Sequence, residues 1–140
     1  MALLTPIGSK FYLEYSSALT EVGEVVSITG PAPSVEALDT TDLTSSTATR
    51  IAGRTDWGNV SITFNVNEAD DSTLNISELD SIGGTDLTWK ITIPCADCSA
   101  ADLTISGSGI CGQPSITITS GSVVQGTIDV QISGDVTVAA

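Results

Sequence analysis

The chain contains no histidine and only four basic residues, against 17 acids, in 140 positions. The missing histidine removes the commonest general base, the commonest activator of a nucleophile and the commonest metal ligand together. The shortage of Lys and Arg excludes a surface built to hold a phosphate backbone, which needs clustered bases. The net charge of −13 equally argues against an anionic membrane surface, and it makes monomers repel one another and stay soluble. No stretch approaches the ~18–20 apolar residues of a membrane span. The opening MALLTPIGSKFYLEY lacks the basic start and long apolar run of a secretory signal. The expectation is a protein made and folded in a cytosol.

Cysteine is also scarce, at three. Cys95 and Cys98 form a CxxC, and Cys111 follows in the next segment. A redox CxxC sits at a helix N-terminus in a βα unit, and no such pattern surrounds this one. A structural zinc site wants four Cys or His ligands, and only three thiols exist. Two readings remain. One is reduced, partly buried thiols in adjoining loops. The other is a disulfide from Cys111 to Cys95 or Cys98 if the assembled protein ends up outside cells. A 140-residue chain buries about two-thirds of its unfolded surface and so forms one domain, residues 1–140, with the cysteines dispensable for folding.

What the chain does have is Ser and Thr, about a quarter of its residues, with only 15% charged. That balance suits pleated, half-buried surfaces. Strict alternation marks the strands. Residues 10–15 place Phe11, Leu13 and Tyr15 on one face, and residues 24–29 form a second strand stopped by Gly30 and Pro31. Residues 16–23 read as a polar turn. Pro31 and Pro33 cannot both serve a central ladder, so they mark an edge or corner. Val60, Ile62, Phe64 and Val66 alternate with Ser61, Thr63, Asn65 and Asn67, the cleanest strand of the chain. Leu87, Trp89, Ile91 and Ile93 alternate likewise before Pro94. Residues 103–106 predict a brief strand broken by Gly107 and Gly109, residues 115–119 another, and residues 123–134 the longest, with Ile128, Val130 and Ile132 inward. Residues 70–82 are the one credible helix, capped by Asp70, Asp71 or Ser72, with Ile76, Leu79 and Ile82 on one side and Gly83–Gly84 as the stop. The fold class is therefore all-β: an antiparallel sandwich or partly open barrel of seven to nine strands, with one short flanking helix and one long loop.

Other chemistry finds little support. Asp70 and Asp71 are better explained as helix caps than as a glycosidase pair. Gly107, Gly109 and Gly112 precede no helix and no lysine, unlike a phosphate loop. Trp57, Trp89, Tyr12 and Tyr15 could line a sugar platform, but Trp89 falls on the inward face of its strand. No catalytic residue, metal ligand or cofactor is expected.

Residues 38–57, LDTTDLTSSTATRIAGRTDW, are the outlier. Strands in compact domains are usually joined by about 4–6 residues, and loops beyond about 12–15 are usually functional or disordered. This one carries two of the four bases, Arg50 and Arg54, with Leu43 and Ile51 as apolar anchors. It reads as an arm that gains order against another copy, with a solvated surface loop as the alternative.

In order, GEVVSITGPAPSVEALDTTDLTSS, RIAGRTDWGNVSITFNVN, the helix at DSTLNISELDSI, the strand ending ITIP and the closing IDVQISGDVTV resemble the major tail tube proteins of long-tailed bacteriophages. The resemblance spans about residues 21–138; the three cysteines have no counterpart in it. It implies a β-sandwich with a flanking helix, hexameric rings stacked into a tube, and a sheet from each subunit contributing to a continuous barrel around a channel. It implies that the long loop, through Asp39, Thr40, Thr41, Asp42, Leu43, Arg50, Ile51 and Arg54, bridges neighbouring subunits and rings. It implies as partners the chain itself, a tape-measure protein and tail tip or terminator proteins. DNA would pass through without tight binding, in a virion tail assembled in the host cytoplasm. A negative or uncharged wall fits that passage, since a wall that bound DNA would stall it. Ser61, Thr63 and Asn65, or Thr127, Asp129 and Gln131, are the expected linings, and the sequence leaves open which sheet faces inward. Two other classes suit the same composition. A carbohydrate-binding or adhesin domain would be a monomer with exposed aromatics, and a capsid decoration protein would need a preformed shell.

Overall fold

The structure, a computed structural model, describes residues 7–44, 46–66, 74–94 and 102–139. Their strands are β1 (Lys10–Tyr15), β2 (Ala18–Val22), β3 (Val25–Thr29), β4 (Ser34–Asp39), β5 (Arg50–Asp56), β6 (Asn59–Asn65), β7 (Asp86–Ile93), β8 (Leu103–Cys111), β9 (Ser115–Thr117) and β10 (Gln125–Ala139), with the helix α1 (Ile76–Ser81) between β6 and β7. All strand pairs are antiparallel, and the main sheet runs β2-β1-β7-β8-β10-β6-β3. It curls into a half-barrel. β10 is long enough to serve three partners. Residues 125–131 pair β6 on one edge, while the other edge takes β9 at residues 125–127 and β8 from Val130 onward. β4 and β5 form a separate two-stranded ribbon.

The alternation seen in the sequence builds the core. Phe11 and Leu13 of β1, Val60, Ile62 and Phe64 of β6, Leu87, Trp89 and Ile91 of β7, and Ile128 and Val130 of β10 are buried. Their intervening neighbours face the other way, because successive side chains on a strand point to opposite faces. Leu79 of α1 is fully buried against this apolar face. Trp89 sits in the core, and not on a sugar platform; its indole N–H has no hydrogen-bond partner among the described residues.

Four expectations need correction. Residues 16–23 hold a strand, because Ser16 and Ser17 adopt φ of 53° and 66° and make a two-residue turn between Tyr15 and Ala18. Turns with two positive φ angles normally advertise themselves as Asn-Gly, and Ser-Ser does not. The helix is shorter than residues 70–82. Asn75 caps it in a capping box, its Oδ1 accepting from the Glu78 N–H at 2.9 Å while the Asn75 N–H donates to Glu78 Oε2 at 3.2 Å. Asp70, Asp71 and Ser72 lie outside the described residues. Leu74, inside the range expected to be helical, forms a parallel bridge with Val22 and is buried. Finally, the glycines do not break residues 103–111. They let a strand pass under large neighbours: a Cβ at Gly107 would sit 3.2 Å from Trp89 Cζ2, and one at Gly109 would sit 2.9 Å from Val130 Cγ1 and clash with the Gln131 carbonyl. With β2, β4 and β5 beside the seven strands read from sequence, the described residues carry ten.

Cys111 is likewise in a strand and not a loop. It pairs with Val130, is fully buried and is a free thiol. Burial pushes its pKa from the ordinary 9.0 up to about 11. Cys95 and Cys98 lie outside the described residues. The neutral thiol therefore favours the fold fully below pH 9, and that contribution is lost as pH rises through about 11. Urea unfolding is expected to show stability falling across this window in the parent and not in Cys111→Ala. Cys111→Ser puts a hydroxyl into the same apolar site and is expected to cost about 1–3 kcal/mol. Gly109→Ala is expected to cost a similar ~1–3 kcal/mol by overpacking.

Candidate assembly surfaces

The long segment is a β-ribbon. Pro31 and Pro33 deny the chain two ladder donors, the Ala32 N–H turns to the Trp57 carbonyl at 3.1 Å, and β4 leaves the main sheet to pair only with β5. Register sets Leu38 opposite Ile51, Ala37 opposite Ala52 and Asp39 opposite Arg50. Residues 35–38 read from sequence as extended chain leading into the arm, but an irregularity between Val35 and Ala37 breaks the alternation, which is why the pairing with β5 was not legible. The tip is tied by short side chains. The Thr40 N–H donates to the Thr49 carbonyl at 2.9 Å, and the Thr49 N–H to Thr41 Oγ1 at 2.8 Å. Asp39 and Asp42 each fold a turn, accepting from the Thr41 and Thr44 N–H groups at 2.9 and 3.0 Å. The Thr41 hydrogen bonds hold the Asp39 carboxyl below its ordinary pKa. The segment thus has order of its own. What it lacks is cover: Val35, Leu38, Leu43 and Ile51 are all exposed, Leu43 completely. Of the arm residues expected from sequence, Asp39, Arg50, Ile51 and Arg54 lie on the two strands, and Thr40, Thr41, Asp42 and Leu43 at the tip. Val35 and Leu38 were missed, and their signal was faint because β4 has no buried face.

The second surface is the outer face of the main sheet. Ser61 opposes Asp129, Thr63 opposes Thr127 and Asn65 opposes Gln125, so the two expected linings form one patch. Gln125 Nε2 donates to Asn65 Oδ1 at 3.3 Å. Gln131 continues the patch opposite Asn59, and Ser27 and Thr29 of β3 extend it beside Thr63 and Ser61. Asp129 is the one charged side chain among these. The lysines on this face, Lys10 and Lys90, lie on β1 and β7, with β8 between β7 and β10. Lys90 Nζ stands 5.6 Å from the centroid of the Tyr12 ring, a cation–π contact that holds it over its own strand pair. Sequence pattern identified both halves of the patch but not their adjacency, which the β6–β10 pairing creates. Among the described residues, no three His, Cys, Asp or Glu side chains gather as a metal site, and no helix is long and apolar enough to cross a membrane.

A third feature was missed. Ile116, Ile118 and Val123, on β9 and the turn into β10, are 52%, 78% and 62% exposed. From sequence, Ile116 and Ile118 were simply one face of a short strand.

The comparisons with known proteins bear on a fold with three such surfaces. No curated protein sequence matches the chain. The fold is similar to the tail of an empty gene transfer agent particle refined with C6 symmetry, at TM-score 0.71 and 12% identity over 99% of this chain and 100% of that one. It is similar to the SPP1 tail tube, at TM-score 0.71 and 9% identity over 94% of this chain and 77% of that one. It is also similar to the tube-terminating cap of the anti-feeding prophage, at TM-score 0.68 and 13% identity over 100% and 95%. Those identities speak for the fold alone. The sequence itself matches the family profile described as phage tail tube, TTP, lambda-like, over residues 2–112. The chain belongs to the lambda-like phage tail tube family.

Proposed function

We propose that the chain polymerises as rings, six subunits to a ring, stacked into the tube of a virion tail, with the polar face of β3, β6 and β10 lining the channel. Family membership makes the chain a structural component of the tail tube. The sixfold count takes its support from the gene transfer agent tail, refined with C6 symmetry. The observation that carries the choice of lining is the register-matched patch of Ser, Thr, Asn and Gln on β3, β6 and β10, free of Lys and Arg. A fixed cation in the wall would hold a passing phosphate by charge attraction, whereas hydroxyls, amides and the Asp129 carboxylate leave DNA free to slide. β1 and β7, which carry both lysines, suit the lining less well. A tape-measure protein occupying the channel before ejection, and terminator proteins closing the tube ends, fit the same geometry. So does assembly in the host cytoplasm. The ribbon, with its exposed apolar side chains, is the bridge between subunits. Nothing in this role calls on catalysis. An adhesin or capsid decoration function would leave the ribbon and the matched polar patch without a purpose.

Electron microscopy of concentrated protein, without nucleic acid, is expected to show hollow tubes. Added salt should lengthen them by screening the repulsion between subunits of charge −13; monomers alone at every salt and concentration would sink the proposal. The parent should show no gel shift of double-stranded DNA at physiological salt. Tubes of a Thr63→Lys, Thr127→Lys variant should retain DNA that parental tubes release, and equal release by both would move the lining elsewhere. Replacing residues 42–48 by a short Gly-Ser turn should leave circular dichroism and melting close to parental, since closure entropy changes by only about 0.6 kcal/mol per halving of a loop. Tubes should be lost. Each ribbon contact is small, but a ring engages all its copies at once.

A further inference from the structure

The ribbon and the exposed β9–β10 turn lie at opposite ends of the same strand pair. At one end the Ile132 N–H donates to the Gly58 carbonyl, at 3.0 Å, where β5 leaves for the ribbon. At the other end the Val66 N–H donates to the Val124 carbonyl, at 2.9 Å, beside the turn from β9. The seven register pairs between β6 and β10 separate them, a span of roughly 20 Å at strand rise. The ribbon does not cover its own turn: Leu38, Leu43 and Ile51 on one and Ile118 and Val123 on the other are all exposed.

The turn is unusual in its charge as well as its exposure. Residues 103–128 hold no charged side chain, in a chain with 17 acids. The ribbon, residues 34–56, carries Glu36, Asp39, Asp42 and Asp56 against Arg50 and Arg54, so it is itself slightly acidic. Docked on the β1–β3 region it would meet Glu14, Glu21 and Glu24 against the single Lys10; docked on the β9–β10 turn it meets no like charge. Both surfaces present aliphatic side chains to water, Leu38 and Ile51 on one and Ile118 and Val123 on the other, and their contact would remove that area from solvent.

We propose that the β9–β10 turn, through Ile116, Ile118 and Val123, is the receptor for the ribbon of a second copy in the next ring. The contact is heterologous, ribbon to turn, so a docked pair keeps one free turn, on the copy that gave its ribbon, and one free ribbon, on the copy that received it. Such an interface grows an open stack and does not close as a dimer. The assignment rests on the tube reading and adds to it the surface that takes the ribbon.

The test uses two variants of the full chain, Ile118→Asp with Val123→Asp, and Leu38→Asp with Ile51→Asp. All four positions are exposed, so circular dichroism and melting should stay parental. Each variant alone is expected to give rings without tubes by electron microscopy. Mixed one to one, the two should give ring pairs and nothing longer, because one variant supplies a good ribbon and the other a good turn, and only one such junction can form. The milder Ile118→Ser should give tubes several-fold shorter than parental and keeps the test valid should an aspartate variant misfold. Tubes of parental length from the turn variants, or a mixture that yields no ring pairs, overturn the receptor assignment while leaving the tube reading intact. A parental chain that forms no tubes removes both.

Discussion

Seven register pairs between β6 and β10 hold Val60, Ile62 and Phe64 beside Val130, Ile128 and Gly126 on one face, and Ser61, Thr63 and Asn65 beside Asp129, Thr127 and Gln125 on the other. Everything else in the molecule depends on that register. The inner face is the centre of the core on which Trp89 and Leu79 pack. The outer face is the candidate channel wall. A slip of one residue would exchange the two faces, burying hydroxyls and a carboxylate while exposing the aliphatic row. The same side-chain alternation thus specifies the fold and builds the polar face proposed above as the channel lining.

The pairing also sets the two ends of the subunit. Where β6 begins, the Gly58 carbonyl accepts from Ile132 and the chain before it peels away as the ribbon. Where β6 ends, the β9–β10 turn closes over Val66. Charge then limits what can meet what. Subunits of charge −13 associate most readily where acids are sparse, and the charge-free turn meets that condition for a ribbon whose four acids outnumber its two arginines. β10 runs past its last register pair with β6, Gln131 with Asn59, to Ala139 with Val138 exposed, and among the described residues only β8 pairs with that overhang, which leaves strand edge another chain could use.

Where one face of a strand is buried and the other wet, period two was enough to identify β1, β6, β7 and most of β10 from sequence, together with their core residues. The absence of histidine and the shortage of bases weighed against most chemistry, and the resemblance of the whole order of parts pointed to the tail tube family. The elements that escaped have specific reasons. β2 follows a Ser-Ser turn that carries no glycine. β5 has no buried face to imprint a period. β8 runs through Gly107 and Gly109, which look like breakers until Trp89 and Val130 are seen against them. Cys111 looked like a loop residue because its partner across the sheet, Val130, is 19 positions away. Composition and alternation are local quantities, so the sequence by itself determined the strand faces, the acidic character and the arm as a feature needing explanation. Only the tertiary structure decided that Ser61 and Asp129 share one wall, that the arm is a hydrogen-bonded ribbon, and that ribbon and turn stand at opposite ends. Those facts arise from pairings between distant segments, and no short window of residues contains them.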